Sequence, residues 1–83
     1  MPPLAEIQGW RAYIYAKDHE LPHFHLRKSG VSVSIDIMTG MVLEGELPRH
    51  LLREIQAWLD AHRQEVLGAW STVRDGRLPS WIE

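Results

Sequence analysis

The sequence predicts a small α+β domain: an antiparallel sheet of three to four strands in the N-terminal half, packed against one broken helix or two consecutive helices in the C-terminal half. Three observations carry this. The segments "HFHLRK" and "VSVSIDI" alternate polar and apolar residues with the period of two that a half-buried strand requires. After Pro48, the apolar residues Leu51, Leu52, Ile55, Leu59, Val66 and Trp70 fall at an approximately helical spacing. The length of 83 residues, 45% of them hydrophobic, fits one core and a single domain over 1–83.

The elements follow in chain order. "IQGWRAYIYA", Ile7 to Ala16, is rich in β-branched and aromatic residues and reads as a strand, with Gly9 a bulge or a late start. Asp18 to Pro22 reads as a loop. "HFHLRK" and "VSVSIDI" form two half-buried strands, the second with Val31, Val33, Ile35 and Ile37 on one face. "MTG" ends that strand, and "MVLEGEL" supplies a shorter, less regular fourth. Pro48 suits a first helical turn. An unbroken helix from Pro48 to Asp75 would be about 40 Å long at 1.5 Å per residue, so a break is expected near Asp60 to Arg63. Asp75-Gly76, followed by Pro79, is a helix stop, and "SWIE" is a tail able to dock.

Composition excludes several classes of function. Without cysteine there is no disulfide framework, thiolate zinc site or cysteine nucleophile. Nine basic and eleven acidic residues, a formal charge of -2, disfavour a protein whose main task is gripping phosphate backbones. "MPPLAEIQGW" lacks the basic and apolar regions of a signal peptide, and no apolar stretch approaches the roughly 20 residues of a membrane helix, so a soluble cytoplasmic protein is expected. Trp10, Trp58, Trp70 and Trp81 are expected mainly in the core, with a partner surface as the alternative.

The candidate site comes from strand geometry. If Phe24 and Leu26 face the core, His23, His25 and Arg27 share the other face, because side chains alternate along a strand. A tight turn at Ser29-Gly30 pairs Lys28 with Val31, Leu26 with Val33, His25 with Ser34, Phe24 with Ile35 and His23 with Asp36. Slipping by one residue would set histidines opposite valines, so the pattern selects this register. A three-residue loop Met38-Thr39-Gly40, with Gly40 left-handed, then pairs Ile37 with Met41, Ile35 with Leu43 and Ser34 with Glu44. The polar face thus collects His23, His25, Ser34, Asp36 and Glu44.

Two histidines at i and i+2 with a carboxylate from the next strand form a partial ligand set for a divalent metal such as zinc, although no cofactor is required by the sequence. A hydrogen bond between His23 and Asp36 would also orient the imidazole for general acid or base work. His23, His25 and Asp36 are therefore both the catalytic and the metal candidates. Asp18 and His19, on the preceding loop, are candidates for a further ligand or a lid, and Ser34, Glu44 and Trp81 for binding. A solvated sheet face carrying ordinary polar residues is the plainer alternative. His62, on the apolar face of the helical half, is read as a buried histidine with one hydrogen bond, and His50, Arg49 and Arg53 as a solvated helical face.

The same residues resemble a known family. Asp18, His19, Pro22, His23, Phe24 and His25, then Asp36, then Gly45, Leu47 and Pro48, then Trp58 and His62, resemble the DH-x-PPHFH segment, strand-ending aspartate, G-x-LP element and W-x-x-x-H element of small bacterial proteins catalogued as DUF4160, a domain of unknown function. Leu21 stands where that family usually has a first proline. The resemblance implies no established activity. It does imply a gene often set beside another small uncharacterised protein, in arrangements that resemble toxin-antitoxin modules.

Two functions of different class follow. One is a protein-binding or regulatory member of such a two-gene pair, with the small protein of the same operon as partner. The other is a small histidine- or metal-dependent hydrolase or ribonuclease-type toxin working from the His23, His25 and Asp36 face. Charge near the histidines separates them, because a ribonuclease needs cations there and only Lys17, Arg27 and Lys28 are close in sequence. Nucleic acid is thus not the favoured partner, and protein-protein interaction is.

Overall fold

The first ten described residues already fold back on themselves. In a computed structural model, which describes residues 3–15 and 21–83, β1 (Ala5–Ile7) and β2 (Trp10–Tyr13) are joined by Gln8 and Gly9, with φ of 52° and 81°. Positive φ at both central residues defines the tight turn whose twist matches paired strands. The single strand expected over Ile7 to Ala16 is therefore a hairpin, and Gly9 is its turn. Ala5 and Ile7 on β1, and Trp10, Ala12 and Ile14 on and just after β2, are buried on one face.

The next hairpin has the expected register. β3 (His23–Lys28) and β4 (Val31–Asp36) are joined by Ser29 and Gly30, with φ of 51° and 81°, and all six pairs from Lys28↔Val31 to His23↔Asp36 are as derived. β5 (Val42–Glu44) completes an antiparallel sheet ordered β1-β2-β3-β4-β5. Five strands replace the expected three or four, because the N-terminal segment supplies two.

The β4–β5 loop differs from expectation by one residue. Ser34 does pair with Glu44, but Ile35 pairs with Val42 and not Leu43, so Leu43 is the extra residue of a bulge. Asp36 N–H donates to Met41 O (2.9 Å), so Ile37 belongs to the loop instead of pairing with Met41. The cause is local: Asp36 Oδ1 accepts from Met38 N–H (2.8 Å) and Thr39 N–H (3.4 Å), while Gly40 N–H closes onto Asp36 O (2.8 Å) with Gly40 at φ 76°. An aspartate that binds backbone two and three residues ahead winds a wider turn.

The helical half is one helix, α1 (Arg49–Arg74). The expected break near Asp60 to Arg63 does not occur. Ile55, Leu59, Val66, Ala69 and Trp70 keep one buried face, and the polar interruption between Leu59 and Val66 is satisfied in place: Arg63 Nε–H donates to Ile37 O (2.9 Å) and Nη2–H to Asp60 (2.8 Å). A hydrogen bond to the loop after β4 lets the apolar stripe skip one turn without bending the axis. The stop is where it was placed. Gly76 N–H bonds Val73 O, and Arg77 N–H bonds Thr72 O, a Schellman closure with Gly76 at φ 82°.

The core lies between α1 and one sheet face. Phe24, Leu26, Val33, Ile35 and Ile37 meet Ile55, Leu59 and Val66, all essentially inaccessible. Val31 is a correction: it is 51% exposed, paired with Lys28 at the hairpin end and outside the core. The tail docks as expected, with Ile82 buried and its N–H donated to Leu4 O (2.7 Å). Trp10 and Trp70 are core, Trp58 is half-buried, and Trp81 is 52% exposed. Among the described residues, no helix is long and apolar enough to cross a membrane.

Candidate functional site

Alternation fixes what the other sheet face carries. One row across the strands reads Glu6, Arg11, Arg27, Ser32, from the pairings Glu6↔Arg11, Arg11↔Arg27 and Arg27↔Ser32. The next reads Tyr13, His25, Ser34, Glu44, and a third contains His23 and Asp36. The five residues expected to share a face, His23, His25, Ser34, Asp36 and Glu44, do share it.

Within the face, contacts are made mostly by rings. His23 and His25 meet edge to face with centroids 5.1 Å apart. Tyr15 lies 4.9 Å from His25 and stacks nearly parallel (8°) on Tyr13 at 6.0 Å. The indole of Trp70, near the end of α1, lies 5.2 Å from His23. His23 Nδ1–H donates to Leu21 O (2.9 Å), which aims Nε2 away from that carbonyl. Ser34 Oγ lies 3.4 Å from His25 Nδ1, a long contact for a hydroxyl, and Ser34 is buried.

Asp36 sits opposite His23 in the ladder, but its Oδ1 is directed into its own loop by Met38 and Thr39 N–H. That oxygen is committed to two backbone donors, so a metal or the His23 ring would have to be met by Asp36 Oδ2. Among the described residues, no three His, Asp or Glu side chains gather at metal-binding separations. Asp18 and His19 lie outside the described residues. Glu44 is exposed at the end of β5, and Trp81 lies on the tail beside α1, lining a depression with Glu65, Gly68, Ala69 and Thr72.

The remaining signature residues act on packing. Phe24 is in the core with its ring 6.4 Å from Trp58, and Trp58 lies 4.9 Å from His62. His62 makes its hydrogen bond to Glu65 (2.9 Å), but it is partly exposed and not buried as expected. Gly45, at φ 88°, passes so close to β4 that a Cβ there would lie 2.8 Å from Ser32 O and 3.2 Å from Val33 Cα. His50, Arg49 and Arg53 are exposed.

Sequence reasoning missed Arg11 and Tyr13. The loop between β2 and β3 is too long to dictate which residues pair, so nothing placed Arg11 against Arg27 or Tyr13 against His25. The alternation of Trp10, Ala12 and Ile14 with Arg11, Tyr13 and Tyr15 was the available signal that these side chains share the outer face.

Fold and face together define a small α+β domain: a five-stranded antiparallel meander, backed by one helix, whose outer face is organised around two histidines. Within that class the chain belongs to the family described as domain of unknown function (DUF4160), whose profile matches residues 9–71. The match spans β2 to most of α1 and leaves out β1 and the tail, the two segments that Ile82 and Leu4 join. No curated protein and no solved structure matches the chain.

Proposed function

We propose that this protein is a protein-binding, regulatory member of a two-gene, toxin-antitoxin-like pair. The observation that carries this reading is the placement of exposed large apolar side chains. Met38 (57% exposed), Met41 (61%) and Leu43 (43%) lie along β5 and its loop. β5 is the last strand of the sheet, so this apolar strip flanks an edge able to accept another strand. Methionines suit such a surface because they repack against a partner. Trp81, exposed on the tail beside α1, is a second anchor.

A second reading, a histidine- or metal-dependent hydrolase or ribonuclease, draws support from the His23–His25 contact and the neighbouring Ser34 hydroxyl. It is the weaker of the two, because one oxygen of the carboxylate it needs, Asp36 Oδ1, is already engaged by Met38 and Thr39 N–H. One experiment separates them. The protein encoded next door is co-expressed and co-purified, and growth is measured with each protein alone. Leu43→Asp with Met41→Asp should abolish co-purification while leaving the fold intact, since both positions are exposed. Retained binding in that variant would refute the assignment of the surface. Growth arrest by this protein alone, lost on changing His23 and His25 to alanine in a folded variant, would favour the enzyme.

A further inference from the structure

We propose that the cleft between the two hairpin turns, built by Arg11, Arg27, Lys28 and Tyr13, binds the phosphate backbone of single-stranded nucleic acid. This goes beyond the partner-binding reading and uses a different surface. Gly9 and Gly30 complete the walls of the cleft, an open depression of about 330 Å³.

The first support is a charge arrangement that the fold does not need. Arg11 and Arg27 stand directly opposite each other on adjacent antiparallel strands, where like charges oppose pairing. Lys28 adds a third cation at the rim: a Cβ on Gly9 would come within 3.3 Å of its Nζ, so the glycine leaves room for the ammonium. Among the described residues, the ion pairs include His62–Glu65, Arg63–Asp60 and Arg77–Asp75, and none formed within that set involves Arg11, Arg27 or Lys28. Glu6 occupies the register position beside Arg11 without forming a pair. Three cations without an ion pair among the described residues, gathered in one depression, are complementary to a dense anion, and guanidinium groups match phosphate oxygens bidentately.

The second support is what adjoins the cations. Tyr13 lines the cleft one row along the strand from Arg11, and Tyr15 stacks on it in parallel. Cations followed by aromatic rings on an open sheet are the two components of single-strand recognition: charge for the backbone and a ring for a base. The width of the face sets the scale. Two or three phosphates meet Arg11, Arg27 and Lys28 before Glu6 on one side and Glu44 and Asp36 on the other reverse the sign, so the footprint is short. The net charge of -2 reports the whole chain and does not see this local separation.

The test is fluorescence anisotropy with labelled oligouridine and oligothymidine of about twelve nucleotides, titrated from about 20 to 200 mM salt. Binding to both oligomers should weaken with salt, with log K falling against log[salt] at a slope of about -1.4 to -2 for two or three contacts. Arg11→Gln with Arg27→Gln should weaken binding at least tenfold and flatten the slope by about 1.4, while thermal stability stays equal or rises because a like-charge pair is gone. Tyr13→Ala should weaken oligonucleotide binding severalfold without changing competition by tripolyphosphate. A preference for uridine over thymidine oligomers identifies RNA as the source of the strand, the reverse DNA, and equal binding a site that reads only backbone and stacking. The proposal is overturned by oligonucleotide binding that is undetectable at low salt, or unchanged in the double variant. It is equally overturned if tripolyphosphate or anionic phosphatidylglycerol vesicles bind as tightly as the oligomers.

Discussion

Gly45 lies where β5 leaves the sheet for α1, and replacing it by alanine should cost far more than replacing other glycines of the same backbone conformation. Its φ of 88° alone penalises an L side chain by about 1–2 kcal/mol. The added methyl would lie 2.8 Å from Ser32 O, 3.1 Å from Val33 Cγ2 and 3.2 Å from Val33 Cα, and two of these are backbone atoms of a central strand that cannot swing aside. Relieving such overpacking costs about 1–3 kcal/mol more, giving about 2–5 kcal/mol in all. Gly30 and Gly76 are the controls, with φ of 81° and 82° and nothing within 4 Å of a built Cβ. Alanine at either should cost only the conformational part, about 1–2 kcal/mol. Urea unfolding followed by tryptophan fluorescence measures the difference, and with a slope of about 1 kcal/mol per molar the Gly45→Ala midpoint should fall about 1–3 M below the controls. The loss is large against the roughly 4–12 kcal/mol expected for a domain of this size. If Gly45→Ala and Gly30→Ala unfold within about 0.5 kcal/mol of each other, the close approach to β4 does not constrain the chain and the steric argument is wrong.

Three further outcomes follow from the same geometry. Ile35→Ala should cost about 2–5 kcal/mol in equilibrium unfolding and Val31→Ala under about 0.5, because Ile35 is inaccessible and Val31 is half-exposed; equal losses would show that the helix covers the whole strand face. Asp36→Ala should cost about 1–2 kcal/mol and Asp36→Asn clearly less, since an amide oxygen still accepts from Met38 and Thr39 N–H; an Asn variant as unstable as the Ala variant would mean that the carboxylate charge, not its turn-forming role, matters. Arg63→Met keeps the apolar stem but removes the donor to Ile37 O, and should lower stability by about 1 kcal/mol; no loss would leave the continuity of α1 without its stated cause.

The sequence alone determined what depends on short-range pattern. The β3–β4 register followed from alternation plus a two-residue turn, because a slip of one residue would have put Phe24 and Leu26 on the opposite face from Val33 and Ile35. The helix stop at Asp75-Gly76 was equally local, since a left-handed glycine closes the last turn whatever the helix packs against. The tertiary structure decided what depends on distant partners. Gln8-Gly9 is a weaker turn signal than Asn-Gly, so only the pairing of Glu6 with Arg11 revealed two strands where one was expected. Continuity of α1 through Arg63 depended on the Ile37 carbonyl 26 residues away. The position of Asp36 opposite His23 was legible, but the partner of its carboxylate was not, because two backbone donors two and three residues ahead hold that oxygen. The opposition of Arg11 and Arg27, on which the anion site rests, required the β2–β3 register that a long connection leaves free. Pattern fixes which face a side chain takes, whereas competition among nearby donors and acceptors fixes what it binds there.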